Sequence, residues 1–267
     1  MALTAIAEST SMAMESDIQK VFLTDLHTHI LPGIDDGAKN LERSVEILLA
    51  QKASGVERVA LTPHYYPLRE ELEAFLEKRQ KAYEQLRLAW DEETMPQLRL
   101  GAEVHYAASL AEMDLRKLTL GQSDYLLLEL SDTAVPAHIE QVLAIILEQG
   151  ITPILAHIER CSYFCEEPAR LVGLIEMGAL AQVSALALAR TKANKFADVC
   201  LRNHVAQIIA SDVHGVGKGM SCLGDFAKKI DKERVIQAET FARAVWDNTQ
   251  LPAFEPIPVR KRIFGYA

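Results

Sequence analysis

Short apolar, β-branched runs alternate along this chain with longer amphipathic segments, and that alternation restricts the fold class before any single residue is considered. The runs are VFLTDLH (21–27), VERVALT (56–62), QLRLGAE (97–103), DYLLLEL (124–130), TPILAH (152–157), ALAQVS (179–184) and VAQIIAS (205–211). Helical segments lie between them: 41–54 behind the N-capping Asn40, 69–91 with Glu and Lys/Arg at i,i+4, 136–149 with Pro136 near its start, then 167–177, 190–203 and 232–248. Gly55, Gly150 and Gly178 stand where three of these helices should end. Strand, crossover helix and strand in succession is the pattern of a parallel sheet. Seven such runs predict an α/β fold, a seven-stranded (β/α) barrel, complete or distorted, with an open doubly wound sheet as the alternative.

With 267 residues, 49% of them hydrophobic, the chain can form one large domain. The expected division is a loose tail over 1–19, a folded domain over 20–250 and an irregular segment over 251–267, where Pro252, Pro256 and Pro258 interrupt regular structure. Arg260-Lys261-Arg262 in that segment reads as a solvated patch. A net charge of −9 argues against a nucleic-acid partner. An anionic substrate stays open, because metal ions and local cations can reverse the field in a cleft. No run of about 18 apolar residues predicts a membrane span, and the first residues lack the basic start and apolar run of a secretory signal. Cys161, Cys165, Cys200 and Cys222 show neither paired metal spacing nor a disulfide framework. A cytoplasmic protein with free thiols is expected; a redox pair of Cys161 and Cys165 is the sharper alternative.

The histidines are not scattered. The first strand end carries His27 and His29, with Asp35 and Asp36 just beyond. The second carries His64, the third Glu103 and His105, the fifth His157, and the seventh Asp212 and His214. Only His138 and His204, of eight histidines, fall elsewhere, at a helix start and a helix end. Parallel α/β folds bind ligands at the C-terminal ends of their strands. Imidazole and carboxylate without thiolate suit Zn, Mn or Fe. His27 and His29 share one side of an extended segment and can chelate one ion, Asp212 and His214 form a similar pair, and Glu103 can bridge two ions. His105 reads as a ligand, a group orienting one, or a bystander.

Other phosphate chemistries lack their residues. No cysteine has an arginine six positions later; Cys165 has Arg170 five positions on, with two glutamates between them. No GxxxxGK[ST], GxSxG or HExxH pattern occurs.

The segments DLHTHILPGIDDG (25–37), TPH (62–64), GAEVHY (101–106), HIER (157–160) and SDVH (211–214) together resemble the polymerase and histidinol phosphatase (PHP) superfamily. DDGAKN after the HxH, with HIER, is most similar to the manganese-dependent protein-tyrosine phosphatases of bacterial capsule and exopolysaccharide synthesis. The resemblance implies a distorted seven-stranded β/α barrel holding two or three divalent ions, Mn first, with Fe, Zn or Co as alternatives. Its ligands would be His27, His29, Asp36, His64, Glu103, His157, Asp212 and His214, with Asp35 behind them. Arg160 matches the arginine that meets the substrate phosphate. The family's second arginine, a few residues after DxH, is missing from GVGKGMS (215–221); Lys218 is its counterpart, a point cation rather than a bidentate fork. The implied reaction is hydrolysis of phosphotyrosine by a metal-held hydroxide. The implied partner is a phosphotyrosine protein such as a tyrosine kinase of polysaccharide export. A homo-oligomer stays open. Competing readings are a small-molecule PHP phosphatase such as histidinol phosphatase, a PHP nuclease or phosphodiesterase, and a non-catalytic metal-binding regulatory protein. An amidohydrolase barrel shares the HxH but not DDG or HxER.

Overall fold

The computed structural model describes residues 23–190, 194–217, 222–262 and 265–266. The expected tail 1–19 lies outside them, as does Lys218.

In chain order the elements are β1 (Leu23–Asp25), α1 (Leu41–Ser54), β2 (Val56–Leu61), β3 (His64–Tyr65), α2 (Leu72–Ala89), β4 (Gln97–Leu100), β5 (Glu103–His105) and β6 (Tyr125–Glu129). Then follow α3 (Ile139–Glu148), β7 (Thr152–Leu155), α4 (Ser162–Glu166), α5 (Pro168–Glu176), β8 (Leu180–Ser184), α6 (Ala185–Ala189), α7 (Lys195–Arg202) and β9 (Ile208–Ala210). The last are α8 (Leu223–Ala227), α9 (Lys232–Asp247), β10 (Lys261–Arg262) and β11 (Gly265–Tyr266). Each of the seven expected runs contains a strand, and the strands pair in parallel.

A single closed seven-stranded sheet is not formed. The strands make two parallel sheets, β1-β2-β4 and β3-β5-β6-β7-β8-β9. The expected second strand is followed by a separate short strand, β3, and the expected third is divided between β4 and β5. Pro63 has no N–H to give a ladder, and Gly101 sits where a Cβ would lie 2.8 Å from Leu120. Backbone bonds still cross the break, from Gly101 N to Leu61 O at 2.9 Å and Glu103 N to Pro63 O at 3.0 Å. Past β9 the chain returns to the first strand: Asp212 N donates to His27 O at 3.0 Å and His29 N to Val213 O at 2.9 Å.

Side chains alternate across the strands. Leu126 and Leu128 of β6 join the larger core under the helices, with Ile47, Phe75, Leu86 and Leu143. Tyr125 and Leu127 face a second cluster with Leu26, Ala60, Ile154, Leu180 and Ile208, sealed by Phe241, Val245 and Trp246 of α9.

Helix α1 matches its expected span, with Asn40 Oδ1 accepting from Arg43 N at 3.0 Å and Gly55 ending the helix at φ 104°. Helix α3 starts later than expected. Pro136 precedes it, and His138 holds its N-cap position at φ 59° without a side-chain capping bond. His204, beyond α7, meets Gln237 Nε2 through its Nδ1 at 2.6 Å. The expected helix 190–203 contains α7, whose Asn194 caps Phe196 N at 2.9 Å.

The segment after α9 is irregular as far as Arg260, but it packs. Val259 is buried, Phe254 meets Phe241 edge-on at 5.4 Å, and Tyr266 in the β10–β11 hairpin donates to Cys165 O at 3.0 Å. Arg260, Lys261 and Arg262 are exposed. All four cysteines are free, and burial pushes the Cys161 thiol up to about 12. Among the described residues no helix is long and apolar enough to cross a membrane.

Candidate metal centre

The HxH segment leaves β1 still extended. His27 and His29 are buried on one side. Thr28 points away and ties the neighbouring strand, its Oγ1 donating to Ala60 O at 2.7 Å and its N–H to Thr62 Oγ1 at 3.0 Å. The loop carrying Asp35 and Asp36 then folds back over His29. Ala38 N donates to His29 O at 3.0 Å. A Cβ on Gly37 would lie 2.0 Å from that same oxygen, so only glycine allows this approach.

His64 stands in β3, Glu103 and His105 in β5, and Glu129 ends β6. His157 (φ 30°) and Asp212 (φ 54°) both occupy the left-handed region as the chain leaves β7 and β9. Such strain in non-glycine residues needs support from their surroundings and clusters at functional sites.

These ends converge. Four sets of candidate ligand atoms each lie within 4.8 Å of one another: His29, Asp36, His64 and His214; His27, Glu103 and His157; His27, His29 and Asp212; and His64, Glu103 and Glu129. The sets share members, as a site for adjacent bridged ions requires. All eight ligands implied by the family resemblance are among them.

Glu103 Oε2 is the most telling atom. It is buried without a hydrogen-bond partner among the described residues, yet it lies 3.2 Å from His27 Nε2, 3.2 Å from His29 Nε2 and 3.0 Å from His64 Nδ1. The His64 contact is close but not aligned as a hydrogen bond, for His64 Nδ1 is likewise unpartnered. A buried carboxylate oxygen without a donor is costly. Nitrogens gathered around such an oxygen are what a shared cation would use, so the donor set fits divalent metal.

Further residues fix how the rings face. Gln182 Oε1 accepts from His157 N at 2.9 Å and lies 3.2 Å from His27 Nδ1. That leaves His27 Nε2 for the cluster. Asp35 does not enter any ligand set. Its Oδ2 accepts from His29 Nδ1 at 2.8 Å and His64 N at 3.2 Å, and its Oδ1 from Gly37 N at 3.0 Å. His214 Nδ1 donates to Asp212 O at 2.9 Å and turns Nε2 toward Asp36 Oδ1, 3.3 Å away. His105 also lies outside the ligand sets, and its Nδ1 donates to Glu129 Oε2 at 3.0 Å.

The electrostatics calls for positive charge. Burial alone would push His27 and His29 down, but the surrounding carboxylates outweigh it and raise both, led by Glu103 for His27 and Asp212 for His29. Burial would raise Glu103 and Asp212, yet the imidazoles hold both below the usual carboxylate range. A divalent ion held by these residues would supply that charge in place of protons. Arg160 pairs with Asp212 through Nη2 at the cluster's outer edge.

Sequence reasoning missed Glu129 and Gln182. Glu129 ends the expected strand DYLLLEL, so the strand-end rule that found the histidines reaches it as well. Gln182 lies inside β8 and carries no such signal.

Residues 23–250 match the family described as capsular polysaccharide synthesis, CpsB/CapC. The chain belongs to the CpsB/CapC family. It is 30% identical over 258 residues to the tyrosine-protein phosphatase YwqE of Bacillus subtilis, covering 91% of this chain and 100% of that protein. It is 30% identical over 213 residues to the tyrosine-protein phosphatase CpsB of Streptococcus pneumoniae, covering 73% of this chain and 84% of that one. A chain from the crystal structures of YwqE and CpsB, described as unique metal-dependent tyrosine phosphatases, superposes with a TM-score of 0.75 at 25% identity, over 90% of this chain and 100% of the other. The CpsB/CapC fold thus has parallel sheets flanked by helices, as found here.

Proposed function

We propose that this chain is a metal-dependent protein-tyrosine phosphatase of capsule or exopolysaccharide synthesis. The observation that carries the reading is Glu103 Oε2, without a donor among the described residues and with three imidazoles around it, in a chain aligned over 91% of its length with a tyrosine phosphatase.

His27, His29, Asp36, His64, Glu103, Glu129, His157, Asp212 and His214 hold two or three divalent ions, Mn foremost, with Fe, Zn or Co able to take the same donors. Such ions supply Lewis acidity to the phosphate and lower the pKa of water. The protein does the rest. Gln182, Asp35 and the Asp212 carbonyl fix the ring orientations of His27, His29 and His214. His105 steadies Glu129. Arg160 turns its guanidinium from Asp212 to the phosphoryl oxygens and neutralises charge building there. Lys218, four positions past His214 in the sequence and outside the described residues, stands where the family has its second arginine.

Residues 20–250 form the phosphoesterase domain. Its two sheets are read as one distorted seven-stranded barrel, a reading supported by the bonds between Asp212 and His27 and between His29 and Val213. The substrate is a phosphotyrosine protein of the cytoplasm, a tyrosine kinase of polysaccharide export being the expected one.

The test is turnover by metal-stripped protein after Mn²⁺ is restored, on phosphotyrosine peptide, phosphoserine peptide and histidinol phosphate side by side. Mn-dependent turnover favouring phosphotyrosine is expected. Preference for histidinol phosphate would replace the substrate, and no turnover with metal bound would overturn the reading.

A further inference from the structure

The turn after His64 folds an aromatic ring and a guanidinium over the rim of the metal cluster. The Tyr66 ring lies 5.4 Å from the His64 ring and 5.4 Å from the His105 ring. Its carbonyl accepts from Arg69 N at 2.9 Å and Glu70 N at 3.2 Å, which reverses the chain. The Arg69 guanidinium carbon thereby stands 4.8 Å from the centre of the Tyr66 ring. Tyr66 is half-buried, and Arg69 is exposed.

Among the described residues, three other cations of the neighbouring segments are engaged. Arg160 pairs with Asp212, Arg43 with Glu46, and Lys39 Nζ donates to Asp36 O at 3.1 Å. Arg69 makes no ion pair among the described residues. A guanidinium stacked on a ring keeps its edge N–H groups for a planar anion. The stacking also fixes the side chain beforehand, reducing what binding must order.

An aryl phosphate held at the cluster must project its ring outward past the rim histidines. Tyr66 borders that path on the His64 and His105 side. Residues flanking the ring then come within reach of Arg69. In a chain of net charge −9, an acidic flank needs a local cation of this kind.

We infer that Tyr66 and Arg69 form a recognition subsite for phosphotyrosine peptides with an acidic neighbour, Tyr66 packing against the substrate ring and Arg69 binding the adjacent carboxylate. The inference rests on the phosphotyrosine reading above.

The experiment compares two phosphotyrosine peptides, identical except for Glu or Gln beside the phosphotyrosine, on Mn-loaded protein. kcat/KM is measured for both. Fluorescence anisotropy measures binding of their non-hydrolysable difluoromethylphosphonate forms. The Glu peptide should be favoured about tenfold in both readouts, as expected of one charge-assisted contact. Arg69→Ala should bring the ratio to about one, and Arg69→Lys should keep part of it. Tyr66→Ala should weaken both peptides and also lower the ratio, because Arg69 loses the ring that holds it, and Tyr66→Phe should restore both. No preference in the wild type, or a preference that survives Arg69→Ala, would overturn the subsite. Absence of turnover on both peptides would count against the phosphatase reading alone, since anisotropy still decides the subsite.

Discussion

The carboxylates buried beneath α9 and those buried at the rim are treated in opposite ways. Where β1 meets α1 and α9, Glu239 accepts from Thr24 N at 2.8 Å, Thr24 Oγ1 at 2.9 Å and Arg243 Nε at 3.0 Å. Asp25 accepts from Gln51 Nε2 at 2.7 Å and Ser211 N at 3.0 Å. All four of these oxygens have donors. At the rim Glu103 Oε2 has none among the described residues, although imidazole nitrogens crowd it. Burial raises Asp25 and Glu239 above the usual carboxylate range, and their hydrogen bonds only partly offset it. Burial acts the same way on Glu103 and Asp212, but the imidazoles overcome it and lower both. One region is complete as protein and holds elements together. The other is arranged for a cation.

The contrast is broken most severely at the rim. His157→Ala and Asp212→Ala should each abolish Mn-dependent turnover while the circular dichroism spectrum stays that of the wild type. Full activity in both variants would leave the cluster without a catalytic role. Gly37→Ala comes next. Its new methyl would collide with the His29 carbonyl and displace the Asp35–Asp36 loop. Weaker Mn²⁺ binding by calorimetry is the expected result, and unchanged affinity would show that the loop can move without cost. Gln182→Ala removes the group that orients His27, so a loss of about 10–100-fold in metal affinity is expected. An equal loss from a substitution far from the rim would make that effect unspecific.

The smaller effects belong to the other region. Glu239→Ala leaves Thr24 N–H buried without an acceptor and should cost about 1–3 kcal/mol in urea unfolding, with Mn²⁺ affinity retained. A pH series sharpens the point. Because the folded-state pKa of Glu239 is raised above 4.5, its contribution is fully present below the unfolded value and is lost as pH rises through the folded one. The stability of wild type relative to Glu239→Gln should therefore fall as pH rises from the unfolded value through the folded one and level off beyond it. A rise instead would mean that its donors outweigh burial.

Much of this was legible in the sequence because local patterns carried it. Short apolar, β-branched runs located the strands, and Asn40 and Gly55 bounded α1. The position of histidines at strand ends located the rim. The division into two sheets was less legible. Gly101 interrupts its strand through its closeness to Leu120, a contact the local sequence does not show, and nothing local announces that the chain past β9 bonds back to the first strand through a left-handed Asp212. Gln182 was hidden for a similar reason: an interior strand residue becomes a ring-orienting group only when His157 N and His27 Nδ1 arrive from 25 and 155 positions away.

The central claim is that the Glu103-centred cluster holds a group of divalent ions. Its most direct test is the number of Mn²⁺ ions bound per chain, by equilibrium dialysis and elemental analysis of metal-stripped wild type and Glu103→Gln. More than one ion per wild-type chain, with that group lost in the variant while the fold persists, is the predicted result. No bound Mn²⁺ in the wild type, or the same number in both proteins, would contradict it.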